Sequence, residues 1–246
     1  MFSRDSWQEI FETIRKNKLR TILSGFTVAL GIFIFVILSG FGNGLQNTFK
    51  EFFVDDATNV LRIFPGRTSK PYKGFKAKRR IELENSDIEA IKINFPLFLE
   101  YITPRISRGA SVKYNNKSDN YTTRAVAPSH QASEKTIIMK GRFINEVDIK
   151  NRTKYAVIGR KVASDLFGKE DPMGKYLDIG KIAFKVIGIF QDAGGDNEES
   201  FIYIPYTTRQ LIEKANDKVD QIIIAYKPSI GHSGAISLEK KLRLFL

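Results

Sequence analysis

The longest uninterrupted apolar pattern lies near the start of the chain. No charged residue occurs in the 29 positions from Thr21 to Phe49. Within that stretch Ile22–Phe41 reads ILSGFTVALGIFIFVILSGF, apolar on every side, with Ser24, Thr27 and Ser39 as its polar interruptions. A bilayer core about 30 Å thick needs roughly 20 such residues at about 1.5 Å per residue, so the pattern predicts a transmembrane helix over 21–44. The apolar region of a cleaved signal peptide is shorter, and this one begins about twenty residues into the chain. Ahead of it, Trp7, Ile10, Phe11 and Ile14 recur at i, i+3, i+4 and i+7. Ser6 and Glu9 fit a capping box. Residues 1–20 are therefore expected to form an amphipathic helix at the cytoplasmic membrane surface, with Trp7 and Phe11 on its apolar face.

The rest, 45–246, switches between short strand and helix periods. Strands are predicted at 59–64, 105–114, 121–127, 155–158, 176–179, 182–190, 201–204 and 221–226. Helices are predicted after a cap at Asn85 or Ser86, at 161–167, at 207–215 and at 235–246. Asn115-Asn116-Lys117-Ser118 and Gly180 are expected to turn hairpins. The expected class is α+β: an N-terminal amphipathic helix and one transmembrane helix, then a mixed α/β extracytoplasmic domain of two subdomains.

Charge adds a direction. Arg15, Lys16, Lys18 and Arg20 crowd the near side of the span, while the far side has no cation until Lys50. Cationic flanks stay in the cytoplasm, so residues 50–246 are expected outside it. The chain carries 39 Lys and Arg against 27 Asp and Glu, a net +12. The tightest basic cluster is Lys73–Arg80, read as a solvated loop or one drawn to anionic lipid headgroups. The extracytoplasmic placement argues against nucleic acid.

Candidate chemistry is sparse. With no cysteine in the chain, thiolate catalysis and disulfides are excluded. His130 and His232 each lack a second His or Cys nearby and are read as solvated loop residues. The acidic run Asp192–Glu199 lacks the order of a calcium loop and is read as a solvated loop. Gly40-x-Gly42-x-Gly44 follows a membrane helix rather than a strand and fits close helix packing better than nucleotide binding. Ile158-Gly159-Arg160-Lys161 is a strand-to-helix turn without Walker spacing. No cofactor, metal site or catalytic set is expected.

An ordered series of short motifs resembles one family. It comprises Lys140-Gly141-Arg142-Phe143, Asp148, Tyr155–Gly159, Leu166-Phe167-Gly168, Asp171-Pro172-Met173-Gly174-Lys175, Phe184–Ile189 and Ile202-Tyr203-Ile204-Pro205. With Asn17–Leu23 entering the apolar helix, the series resembles the MacB/FtsX type of ABC-transporter permease. The residues singled out as structural are Gly141, Arg142, Phe143, Gly159, Pro172, Gly174 and Pro205. Gly141–Phe143 is expected to turn the chain and bury an aromatic ring, and Pro172 with Gly174 to set a tight turn. The resemblance implies a permease subunit with four membrane helices, ATP hydrolysis on an ABC ATPase that is separate or fused, and outer-domain motion in place of chemistry in this chain. It also implies a homodimer or a heterodimer with another permease, contact with membrane lipid, and a periplasmic adaptor among the partners. The FtsX branch offers an alternative, a regulator of a cell-wall hydrolase that transports nothing. Since the family carries further membrane helices, the sequence is expected to be a fragment of that architecture.

Overall fold

The computed structural model describes residues 14–55, 59–71, 74–192 and 195–245, with side chains throughout except at 43–55 and 232. Trp7, Phe11 and most of the expected helix over 1–20 lie outside the described residues, as do Ala193 and Gly194 of the acidic run. Two compact units emerge, Met1–Glu51 and Phe52–Leu246.

The first unit is dominated by α1 (Lys18–Asp55). A break at Asn17 separates it from a helical Ile14–Lys16. The Asn17 carbonyl accepts from the Thr21 backbone N–H at 3.1 Å and from the Thr21 hydroxyl at 3.2 Å. Within Lys18–Gly42 the mean hydropathy over 18 residues reaches 2.5, and the segment is long and apolar enough to cross a membrane. Its large side chains are exposed, Phe35 at 70% and Leu38 at 66%. A soluble helix would bury such residues, so this one requires an apolar surrounding. Thr27 is accommodated by returning its hydroxyl to the Ser24 carbonyl at 2.8 Å.

The second unit contains, in order, β1 (Val60–Ile63), β2 (Leu83–Glu84), α2 (Asn85–Asn94), β3 (Leu99–Tyr114), β4 (Lys117–Val126), α3 (His130–Ser133), β5 (Ile137–Gly141), α4 (Glu146–Asn151), β6 (Tyr155–Gly159), α5 (Arg160–Phe167), β7 (Tyr176–Ile179), β8 (Ile182–Gln191), β9 (Phe201–Pro205), α6 (Tyr206–Ile212), β10 (Lys218–Val219), β11 (Gln221–Tyr226) and α7 (Gly231–Phe245). Nine strands form one mixed sheet in the order β1-β11-β3-β4-β9-β6-β8-β5, with β7 bridging β3 and β8. The sheet is continuous across this unit, and β10 and β2 form a separate two-stranded pair.

One face holds the main core. Ile106, Ile158, Val186, Ile202 and Ile224 meet Ile91 of α2, Leu166 of α5 and Leu238 of α7 there. Strand β8 contributes to both faces, because its register against β6 shifts between Val186 and Gly188: Phe184 and Val186 join this core and Phe190 the opposite one. Central strand β11 (QIIIAY) is buried on both faces and so has no alternation to read. A smaller cluster on the other face joins Val126, Phe143, Val157, Phe190 and Tyr203.

Several expected boundaries move for local reasons. Strand β3 starts at Leu99 rather than Arg105 because it carries Pro104 in mid-strand, opposite Ile222 of β11. Partner β4 pairs only from Arg105 onward, so one side of the strand is free at the proline. The cap of α2 is Glu84, one residue ahead of the expected Asn85. Its backbone N–H donates to the Asp87 carboxylate at 2.8 Å. Helix α6 stops at Ile212, short of Ala215, where Lys214 and Ala215 take positive φ of 68° and 53°.

Candidate functional site

Two polar arrangements organise the sheet, and five of the seven residues singled out as structural gather at one of them. The first is where β5 leaves the sheet. Gly141 has φ of +78°, and an added Cβ would lie 2.2 Å from the Ile187 carbonyl oxygen. Gly188 on the neighbouring strand is equally closed, its Cβ position 2.3 Å from the Arg142 carbonyl oxygen. Two strands therefore cross in near backbone contact, which only glycine permits. The crossing turns Phe143 into the core, 5.5 Å from the Tyr203 ring. It leaves Arg142 to pair with both oxygens of Asp148, at 2.5 and 3.0 Å. Asp148 is 2% exposed and also accepts from the Asn145 backbone N–H, closing the capping box of α4. Burial alone would raise its pKa, but the Arg142 guanidinium and the Asn145 N–H outweigh that and hold it below the usual carboxylate value.

Pro172 and Gly174 sit beside this crossing. Gly174, φ +76°, donates to the Val186 carbonyl at 2.9 Å, and Lys175 donates to that of Pro172 at 3.1 Å. Lys140 pairs with Asp171 at 2.6 Å. Gly159 ends β6 one strand over, and Pro205 stands apart at the junction of β9 and α6. The structure thus brings together Gly141, Arg142, Phe143, Pro172 and Gly174. Arg15, Lys16, Lys18 and Arg20 are exposed at the start of the apolar helix.

The second arrangement escaped the sequence reading. Glu134, 8% exposed, receives Arg105 at 3.3 Å, Arg124 at 3.2 Å and Arg62 at 3.5 Å. These three arginines come from β3, β4 and β1. Arg124 also reaches Glu198 at 3.4 Å and stacks 3.5 Å above the Phe201 ring. One carboxylate thereby ties three strands to the connection after α3. The available signal was a strand with a charge facing inward: Arg124 alternates with Tyr121, Thr123 and Ala125.

His130 corrects the expectation of a solvated loop residue. It is fully buried, 5.4 Å from the Tyr203 ring, and neither ring nitrogen has a hydrogen-bond partner among the described residues. Burial first, then Arg105, Arg124 and Arg62, holds its pKa well below 6.5. The folded protein thus keeps this imidazole neutral while the unfolded chain protonates below pH about 6.5, so stability should fall as pH drops through that value. His130→Phe should remove up to about 1.4 kcal/mol per pH unit of that slope, read as urea midpoints between pH 7 and 5. An unchanged slope would contradict the neutral buried imidazole. The acidic run is corrected too. Gly195–Ser200 forms a 3-10 turn, and Glu199 is fully buried, accepting from Arg160 Nε at 2.8 Å and from the Asp192 N–H at 3.3 Å.

No group of three or more His, Asp and Glu able to hold a metal occurs among the described residues. The polar groups described above tie strands, turns and helix ends together. A helix long and apolar enough to cross a membrane thus precedes a mixed sheet whose polar groups are structural. The family model for the MacB-like periplasmic core domain matches residues 21–231, and the chain belongs to that family. It is 28% identical over 217 residues to the macrolide export ATP-binding/permease protein MacB of Bdellovibrio bacteriovorus, covering 87% of this chain and 33% of that protein. The Wolinella succinogenes protein of the same name is 28% identical over 208 residues, covering 82% and 31%. The chain thus spans about a third of the length of these relatives. Among solved structures, the periplasmic region of MacB from Actinobacillus actinomycetemcomitans shares the fold with a TM-score of 0.64 at 22% identity, over 77% of this chain and 83% of that one. The extracellular domain of the noncanonic ABC-type transporter YknZ from Gram-positive bacteria gives 0.59 at 16%, over 73% and 92%.

Proposed function

We propose that this chain is the anchor and outer domain of an ABC-transporter permease that couples cytoplasmic ATP hydrolysis to motion outside the membrane, for export or extraction of a substrate. The observation that carries the reading is the family match joined to a spanning-type helix with its cations on one flank. In this reading 1–20 lies at the cytoplasmic surface, 21–44 crosses the membrane and 45–246 is extracytoplasmic. The partners are an ABC ATPase, as a subunit or a fused region, a second permease chain, membrane lipid and an adaptor.

The sheet supports transmission of motion. β1, which follows α1, is hydrogen-bonded to β11, which precedes α7, with Val60 opposite Ala225 and Ile63 opposite Ile222. Asn59 Nδ2 donates to the Tyr226 carbonyl at 2.6 Å and to Glu100 at 2.8 Å. The strands entering and leaving the sheet are thus one bonded unit, and displacement at either end moves the whole domain as a rigid body.

The absence of cysteine makes topology directly measurable. Lys117→Cys should react with a membrane-impermeant maleimide in intact cells or spheroplasts, and Ser3→Cys only after permeabilisation. The reverse pattern would overturn the orientation. Purification from detergent-solubilised membranes should bring an ABC ATPase with the chain. Recovery of a cell-wall hydrolase, with no change in export on deletion, would favour the regulatory alternative.

A further inference from the structure

We propose that the basic arm between β1 and β2 docks an acidic segment of a protein partner. Phe64–Ile81 contains seven Lys and Arg residues and no acidic one. The arm is shaped. Arg67 and Arg80 form a bridge, Thr68 N–H donates to the Arg79 carbonyl at 2.9 Å, and Lys78 N–H donates to the Thr68 carbonyl at 2.7 Å. Ile81 N–H closes the base on the Gly66 carbonyl at 2.9 Å.

Arg67, Lys70, Lys76, Lys78, Arg79 and Arg80 are exposed, and among the described residues none of these six forms an ion pair. The nearest carboxylate in sequence, Glu82, is held by Lys218 at 2.5 Å. The buried carboxylates of the domain, Glu134, Asp148 and Glu199, are by contrast each held by an arginine. A dense field of one sign steers an oppositely charged partner and contributes little to folding. Two large rings accompany it: Phe64 is 64% exposed, and Phe75, 56% exposed, lies 4.4 Å beneath the Arg79 guanidinium. Exposed aromatics with arginine are the composition of protein–protein contact centres.

The composition of the arm favours protein over lipid, because exposed rings beside an arginine suit a protein contact. The arm leaves at Ile63, opposite Ile222, and returns at Leu83, opposite Val219. Preferring protein over nucleic acid rests on the extracytoplasmic placement proposed above, which the maleimide labelling tests separately.

The test uses the full chain in detergent with a fluorescein-labelled octa-glutamate peptide as probe, followed by fluorescence anisotropy at low and at physiological salt. Binding should weaken with salt. The combined Lys76→Glu, Lys78→Glu, Arg79→Glu and Arg80→Glu variant should weaken it at least about tenfold. All four side chains are exposed, so the urea midpoint should hold; if it shifts, Lys70→Ala with Lys76→Ala serves as the milder pair. As a control, Lys113→Glu, Lys169→Glu, Lys181→Glu and Lys240→Glu remove the same charge from exposed sites elsewhere and should have a much smaller effect. Equal losses from both sets, or no loss from the arm set, would overturn the proposal. So would arm-dependent flotation with phosphatidylglycerol vesicles in the absence of peptide binding.

Discussion

Glu134→Gln should lower the stability of the domain by about 3 kcal/mol, a fall of roughly 6–12 °C in melting temperature for a domain of this size. Glutamine keeps the shape and removes only the charge. What remains is Arg105 and Arg124, 17% and 13% exposed, drawn together around a group that no longer holds them. Burial followed by the proximity of Arg124 already lowers the Arg105 pKa, so the cluster is close-set even with its anion in place. A buried charge stripped of its partner costs more than the intact pair contributes, because desolvation of the survivors is no longer offset. Arg62 is 37% exposed and regains water, which keeps the figure at the lower end. The check is urea unfolding of the full chain in detergent. The Arg124→Met/Glu134→Gln double variant should be less damaged than the sum of its singles, since each removes the same contact. A variant unfolding within about 0.5 kcal/mol of the parent would show that the cluster does not brace the sheet.

This cluster marks the limit of what periodicity can reveal. The apolar helix was legible because a membrane span is written in composition alone. The hairpin β7–β8 was legible because Gly180, φ +57°, sits between two alternating runs. Glu134 was not, because its meaning depends on three strands from distant parts of the chain converging on it. His130 and Glu199 were misread for a related reason. In a short polar run, histidine or glutamate has the composition of a solvated loop whether it faces water or the core. Strand β5 and helices α3 and α4 went unpredicted because they are short, and β5 and α4 are mostly exposed, which leaves no apolar period to read. The motif glycines were visible as letters, but their reason, two backbones in contact, needs the neighbouring strand.

Gly159→Ala tests that reason at its sharpest point, and it should destabilise the chain by about 3 kcal/mol. Gly159 itself has φ of −70° and ψ of 157°, a conformation alanine adopts freely, so any loss comes from contact alone. The added Cβ would stand 1.9 Å from the Glu199 carbonyl oxygen, 2.5 Å from its carbonyl carbon and 2.8 Å from its Cα. These are backbone atoms, and no rotamer change relieves them. The 3-10 turn must move away, and it carries the buried Glu199 side chain with its bonds to Arg160 and the Asp192 N–H. Steric strain and a carboxylate pulled from its donors therefore act together. Gly109→Ala is the matched control, because its Cβ position has nothing within 4 Å and it lies within a strand of the same sheet. That variant should stay within about 0.5 kcal/mol of the parent. Comparable losses in the two variants would mean that glycine matters here for backbone freedom. A loss confined to Gly159 would mean that the turn is held by close backbone packing, with Arg160 and Glu199 fixing the direction from which it approaches.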